Sequence, residues 1–529
     1  MSPRLPRMSV VISLLALVAC GGGGGGGGAA PANNGGGVSY TPGVYQPSSG
    51  LAAQCARPRT GNDPNGRPWP DRQGSVASEN NFLRSWTNEL YLWYREVSDL
   101  NPSSTPDPLG YFDLLKTNAA TASGQPKDKF HFTFDTDDWI ALSQSGVEAG
   151  YGAQWFLAAN TPPRRIVVAY TEPGSPAVAN NLTRGVEVLT VDGVDAVNGN
   201  TQAMVDTLNA GLFPAAAGET HTFTVRELNG AQRTVSMASA NITSTPVQNV
   251  STISTASGVV GYLLFNDHIA TSEAALANAV NTLRTANIQD LILDIRYNGG
   301  GFLDIASSLS YMIAGTATSG RTFERMTFND KHPTTNPVTG APLAPTPFHT
   351  IGNFGATDGV ALPTLNLPRV YVLTSRSTCS ASEAIMNSLR GINIAVYQIG
   401  STTCGKPYGF YPRDNCGTTF FSIQFQGNND VGFGEYSDGF SPNNTTGAAG
   451  VRLPGCSVAD DFTHALGDAG EARLAAALAF RAGNNQPEAC PAATGFAPGV
   501  VSKPGQPLNI ADGLMFKSPV RENRILRDM

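Results

Sequence analysis

The stretch RVYVLTSRSTCSASEAIMNSLR, residues 369–390, reads as an apolar strand, a polar turn and a helix in direct succession. The run RVYVLT is continuously apolar at its centre, as a strand covered on both faces requires. From Ala381 the residues favour helix. Ser380 stands at the boundary, and two readings compete there. With Glu383 three residues on, SASE is a good capping box, and taken alone the cap accounts for the serine. The alternative is chemical: at a strand-to-helix turn the backbone N–H of Ala381 points toward whatever the Ser380 hydroxyl attacks, which suits acyl transfer.

Outward from this stretch, residues 258 to 480 alternate strand and helix. VVGYLLF, DLILDIR, RVYVLTS and IAVYQIG are strand candidates, and TSEAALANAVNTLRTA, LDIASSLSYMIAG and ASEAIMNSLRG are helices. Apolar strands separated by amphipathic helices imply an α/β sheet covered on its faces, with chemistry in the loops at the strand ends. Residues 320 to 365 are rich in Pro, Thr and Asn, lack periodicity, and read as an irregular insertion near those loops. The tail after Cys490 shows no clear element.

Two more strand ends carry candidates. In IAVYQIGSTTCGKPYG, Lys406 follows the strand after Ser380. A serine nucleophile needs a base, and none of the six histidines occupies a comparable position. A lysine serves only when neutral, which demands that a reference pKa near 10.4 fall by several units at about 1.4 kcal/mol each. The apolar and aromatic neighbours in CGKPYGFYP suit such a pocket, although a surface lysine in a glycine turn fits the letters equally well. In LILDIRYNGGGFLD, a strand runs into three glycines, whose freedom lets the N–H of Gly300 or Gly301 act as a second oxyanion donor; the plain alternative is an ordinary loop.

Upstream, Phe82, Trp86, Leu90, Trp93 and Val97 recur at helical spacing between Ser78 and about Thr117, a stripe best read as core. Residues 145 to 240 are β-rich, with RRIVVAY and HTFTVREL between turn signals such as EPGSPA and VDGVDA. AGYGAQW and the following AYTEPGSPAVANNLTRGVEVLTVDGVDA resemble a PDZ domain. That resemblance makes Gly150, Tyr151 and Gly152 a carboxylate-binding loop, with a peptide added as a strand at a sheet edge.

Composition narrows the partners. Only 14% of the 529 residues are charged and the net charge is −7, with no basic cluster, so nucleic acid is excluded as the expected partner. The run MSVVISLLALVA after Arg4 and Arg7 is too short to span a bilayer and reads as an export signal. LVAC, ending at Cys20, resembles the lipobox of bacterial lipoproteins, and a plain secretory signal is the alternative. Eight glycines and a Pro/Asn/Gly/Ser-rich stretch then form a tether. Apart from Cys20, six cysteines remain: Cys55, Cys379, Cys404, Cys416, Cys456 and Cys490. An even set suggests up to three disulfides, and spacing favours Cys404 with Cys416.

Together, DIRYNGGG, TCSASEA and GSTTCGKPYG behind a PDZ-like region resemble the C-terminal processing peptidases, or tail-specific proteases, over about residues 80 to 480. The resemblance implies an α/β fold: a ClpP/crotonase-like catalytic core with a PDZ-like β-rich domain and a small N-terminal helical subdomain. The implied organisation is signal peptide 1–20, tether 21–75, helical subdomain 76–140, PDZ-like domain 145–240, catalytic domain 250–485 and C-terminal extension 486–529. It makes Ser380 the nucleophile and Lys406 the general base, with Glu383 as a polar partner and Ala381, Gly300 and Gly301 around the oxyanion. Members often carry Gln four residues after the lysine and Gly directly after it; here Phe410 and Pro407 stand there. Cys379 beside the nucleophile is unusual, and its side chain is expected to face away from that of Ser380. The implied substrates are unfolded or C-terminal peptide segments of exported proteins, cleaved by a lipid-anchored enzyme on the periplasmic side, with the outer membrane favoured over the inner. A binding scaffold of the same fold without an assembled dyad is the alternative. No metal or organic cofactor is implied.

If LVAC is a lipobox, intact-mass analysis of the mature protein will find Cys20 as the acylated first residue. A free amino terminus elsewhere, with no added lipid mass, would contradict it.

Overall fold

The apolar runs pair into one central sheet of β1 (Val247–Thr255), β2 (Gly258–Phe265), β3 (Asp290–Asp294), β4 (Arg369–Thr374) and β5 (Ala395–Gly400), in that spatial order. The computed structural model describes residues 39–64, 66–159, 162–494 and the strand Arg524–Ile525, so Cys20 and the glycine run lie outside the described residues. All described elements belong to the unit Tyr40–Met529. β1 and β2 are antiparallel, and the pairs from β2 to β5 are parallel.

Every residue of β3 is buried, which explains the unbroken apolar run of DLILD. The sheet's period of two divides its side chains cleanly between two cores. Leu263, Leu291, Leu293, Val370 and Val372 pack against α1 (Ser272–Thr285), α2 (Leu303–Ala314) and α3 (Ala381–Gly391). Val260, Tyr262, Leu264, Ile292, Tyr371 and Leu373 face the other way, onto α4 (Ala472–Ala482) and onto Val167, Ala169 and Tyr170. Because β3, β4 and β5 are adjacent and parallel, the loops that follow them emerge at one edge of the sheet.

Those last three residues belong to a second, antiparallel sheet. Its order is Gln232–Ala238, Thr220–Arg226, Glu187–Val191, Arg165–Thr171, Ala153–Ala159, so Ala153–Ala159 is an edge strand. Trp155, Ile166, Val188 and Phe223 fill its own core with Val205 and Leu208 of the helix Gln202–Leu212.

Several segments differ from the expectations. The upstream helix covers only Val76–Leu90, started by a Ser75/Ser78 capping box; Tyr91 turns extended, and the aromatic stripe continues on the short elements Tyr94–Glu96 and Pro108–Asp113. The insertion at 320–365 opens with a strand, Thr322–Phe328, paired with Phe425–Asn428. Thr418–Phe421 pairs with Phe132–Asp135. Thr322–Phe328 and Thr418–Phe421, TFERMTF and TTFF, lack the regular apolar alternation that marks a strand in sequence. Helix α4 was not expected, and the tail supplies Arg524–Ile525, whose backbone pairs in parallel with Gly301–Phe302. The expected Cys404 to Cys416 bridge is not formed: Cys404 bonds Cys379, Cys416 bonds Cys55, and Cys456 bonds Cys490. Short spacing misled here, because the fold sets other cysteines opposite each of the two.

The chain just beyond β3 is held by a buried ionic cluster. Arg296, fully buried, pairs with Asp294 at 2.9 Å, Asp460 at 2.8 Å and Glu471 at 2.7 Å. Arg184, from the second sheet's side, bonds the Tyr297 hydroxyl and Asp460, each at 2.7 Å. Burial alone would raise the Asp460 carboxyl, but the guanidinium groups of Arg473, Arg296 and Arg184 reverse this and hold it well below the ordinary range. With the folded value below the unfolded one, that contribution is complete at neutral pH and is lost as pH falls below about 4.

Arg296→Met leaves three acidic groups without their shared cation. It is expected to cost about 3–5 kcal/mol in urea unfolding, and a parental midpoint would contradict the structural role given to the cluster.

Candidate active site

Three consecutive strand ends supply the candidate residues: β3 leads into Asn298 and the glycines, β4 into Ser380, and β5 into Lys406. The structure therefore brings together what the sequence separates.

Ser380 adopts φ +60°, ψ −112°, a left-handed conformation that costs a non-glycine residue of order 1–3 kcal/mol. The surroundings hold it there. Its N–H donates to Glu383 Oε2 at 2.9 Å, and its carbonyl accepts from Ala384 N at 2.9 Å. The Cys379 N–H and the Ser382 hydroxyl both donate to the Asn298 carbonyl, at 3.1 and 3.0 Å. The Thr378 hydroxyl donates to the Ile295 carbonyl at 2.8 Å. The nucleophile candidate's turn is thus laced to the end of β3. Ala381 is the first residue of α3, whose opening N–H groups have no acceptor within the helix.

Lys406 is fully buried. Its N–H donates at 2.8 Å to Glu383 Oε2, the same oxygen that accepts from Ser380. The other carboxylate oxygen accepts from Gly405 N at 2.9 Å and from the Thr403 hydroxyl at 2.5 Å. Four donors on one carboxylate suit its ionised form, while complete burial raises the Glu383 carboxyl above its ordinary value. The Lys406 Nζ lies 4.7 Å from the ring centres of both Phe130 and Phe410. Burial penalises the ammonium, and the two ring faces return part of that penalty. Phe410, where Gln is frequent in the resembled family, therefore forms one wall of the lysine's cage. Phe130 comes from a distant segment, which the local pattern around Lys406 gave no means of finding.

Asn298 is a further organising residue that sequence reasoning missed. Its Oδ1 accepts from Gly300 N and from His268 Nδ1, each at 2.9 Å, and its Nδ2 donates to the Phe265 carbonyl at 3.0 Å. Because that oxygen takes the Gly300 N–H, His268 must be the donor on Nδ1. Burial pushes His268 down to about 3, so the ring is neutral. The Gly300 N–H is thereby turned back into its own loop. At Gly301, φ is +134° and a Cβ would come within 2.4 Å of the His268 carbonyl oxygen, so only glycine fits. The available signal was its position directly before the three glycines in YNGGG.

Gly150, Tyr151 and Gly152 lie apart from this constellation and line a cavity of about 310 Å³ with Trp155 and Leu212. Gly152, at φ +71°, cannot carry a Cβ, which would meet Ser175 Cβ at 2.3 Å; Gly150 has ordinary space and is not required by packing. Cys379, Glu383 and Cys404 present ligand-type atoms close together. In a disulfide the two sulfurs are not thiolates, so this group is no metal site as it stands.

Residues 259–410, from β2 through Lys406, match the model described as peptidase family S41. The carboxyl-terminal-processing protease of Picosynechococcus sp. (strain ATCC 27264 / PCC 7002 / PR-6) is 26% identical over 275 residues, 50% of this chain. The chain spans 56% of that relative's length. A solved structure of the candidate S41 protease of Bacteroides fragilis NCTC 9343 is similar in fold, with a TM-score of 0.56 and 22% identity over 79% of this chain and 99% of that one.

Glu383→Gln replaces an acceptor-only group with one whose NH₂ must face buried donors. It is expected to cost about 3 kcal/mol in urea unfolding. A neutral substitution would mean that the carboxylate does not hold the two loops together.

Proposed function

We propose that this chain, whose residues 259–410 match peptidase family S41, is a serine endopeptidase of the carboxyl-terminal-processing type, with Ser380 as nucleophile and Lys406 as general base. One observation carries this reading: Glu383 Oε2 accepts the backbone N–H of both residues, so loops from two strands meet at a single atom.

In the proposed reaction the Ser380 hydroxyl attacks the scissile carbonyl while the neutral Lys406 amine takes its proton. The N–H groups of Ala381 and Gly301 stabilise the oxyanion. The lysine then returns the proton to the leaving amine, and water, activated by the same amine, releases the acyl group from Ser380. Asn298 sets the turn that presents Gly301, and the cage of Phe130 and Phe410 keeps water from the amine.

Substrate capture is assigned to the second sheet, read as PDZ-like. Support comes from the position of Ala153–Ala159 at the edge of that sheet and from the cavity beside Gly150, Tyr151 and Gly152. Its proposed ligands are unfolded or C-terminal segments of exported proteins. The enzyme itself is proposed to be exported and anchored through lipidated Cys20. Among the described residues no helix is long and apolar enough to cross a membrane.

On an unfolded protein substrate, Ser380→Ala and Lys406→Ala should each lower kcat by about 10³-fold or more, with the double variant scarcely worse than either. Far-ultraviolet circular dichroism should stay parental. The parent's rate should rise with pH and then level off, because only the neutral amine acts as base. Parental turnover by folded Ser380→Ala would refute the nucleophile; a folded parent that binds peptides and cuts nothing would make the protein a scaffold.

A further inference from the structure

The residue immediately before Ser380 is disulfide-bonded to the residue two before Lys406: Cys379 and Cys404, with Cα atoms 5.1 Å apart. Their bond closes a ring that contains α3 and β5, the two elements that deliver nucleophile and base. The other two disulfides bond no residue of this ring, although the Cys456 backbone pairs with Gln398 and Gly400 of β5. Cys55–Cys416 pins an N-terminal segment to the turn between Arg413–Asn415 and Thr418–Phe421, and Cys456–Cys490 joins the two sides of α4.

We propose that Cys379 and Cys404 are positioning residues whose disulfide makes the dyad redox-dependent, so that the peptidase is competent when oxidised and nearly silent when reduced. This rests on the serine peptidase reading above. The physical case is the strain at Ser380. A left-handed serine must be held from both sides, and its neighbour Cys379 is anchored on one side by its N–H to the Asn298 carbonyl and on the other by its sulfur to the lysine's loop. Glu383 constrains the same two loops, but by hydrogen bonds alone, which exchange as the loops move. Without the covalent link, small excursions of Cys404 carry Lys406 with them, and misplacement by about 1 Å is enough to cost about a hundredfold in rate.

Cys379 is fully buried while Cys404 is half-buried, so an external thiolate reaches the bond at the Cys404 sulfur. Reduction by a vicinal dithiol breaks the Sγ–Sγ bond. Each cysteine gains one electron and one proton as a thiol, and the dithiol loses two of each and closes to a cyclic disulfide. A chain kept reduced before export would therefore carry an incomplete dyad, completed only in an oxidising compartment.

The test is steady-state cleavage of dye-labelled casein in buffers graded from oxidised to reduced dithiothreitol. Disulfide mapping and near-ultraviolet circular dichroism are run on each sample. The parent should lose about a hundredfold in kcat with little change in KM, in step with the fraction of Cys379–Cys404 opened. Cys379→Ala/Cys404→Ala should start at that low kcat and ignore the reductant, whereas Cys55→Ala/Cys416→Ala should respond like the parent. Parental kcat in the first variant, a reductant response that persists in it, or a parental loss that follows another disulfide would each overturn the proposal. The parent titration decides the matter even if a variant fails to fold. An oxidised parent that cuts nothing overturns the peptidase reading beneath it, a result distinct from an active parent indifferent to reductant.

Discussion

One buried carboxylate holds the candidate site together. Glu383 lies on the first turn of α3, and its two oxygens accept from the Ser380 N–H on one side and from Thr403, Gly405 and Lys406 on the other. A group so deeply buried is costly unless its hydrogen-bonding capacity is met. Here the donors come from two loops, so neither loop can leave without stranding the charge. The glutamate half of the capping box in SASE is present, with Glu383 accepting from the Ser380 N–H, and the same glutamate also fastens the following loop.

Around that carboxylate the strand ends are stiffened from below and beside. Arg296, with Asp294, Asp460 and Glu471, fixes the chain as it leaves β3, and Asn298 accepts from the Gly300 N–H in the turn that follows. The hydroxyls of Thr378 and Ser382 tie the serine turn to the same carbonyl row. A strained Ser380 is stable in such a frame because nearly every neighbouring backbone group is already committed.

Much of this was legible in the letters. DLILD and RVYVLT announced strands buried on both faces, and the order of glycines, serine and lysine at successive strand ends matched the adjacency of β3, β4 and β5. What was not legible depends on distant contacts. Phe130 reaches Lys406 from far upstream, and Cys416 pairs with Cys55 across 361 residues, so no local spacing could report either. The strands Thr322–Phe328 and Thr418–Phe421 owe their existence to partners elsewhere in the chain rather than to an alternating pattern. Phe410, which looked like a departure from the resembled family, makes sense only beside Phe130, because two rings make a cage and one does not.

The central claim is that Ser380 is a nucleophile activated by Lys406. Labelling the folded protein with a fluorophosphonate, followed by peptide mass mapping, tests it without any knowledge of the substrate. The expected result is one adduct per chain, on Ser380, formed faster as pH rises and absent when Lys406 is replaced by alanine. Folded protein that takes no label, or takes it on another residue with Ser380 untouched, would contradict the claim.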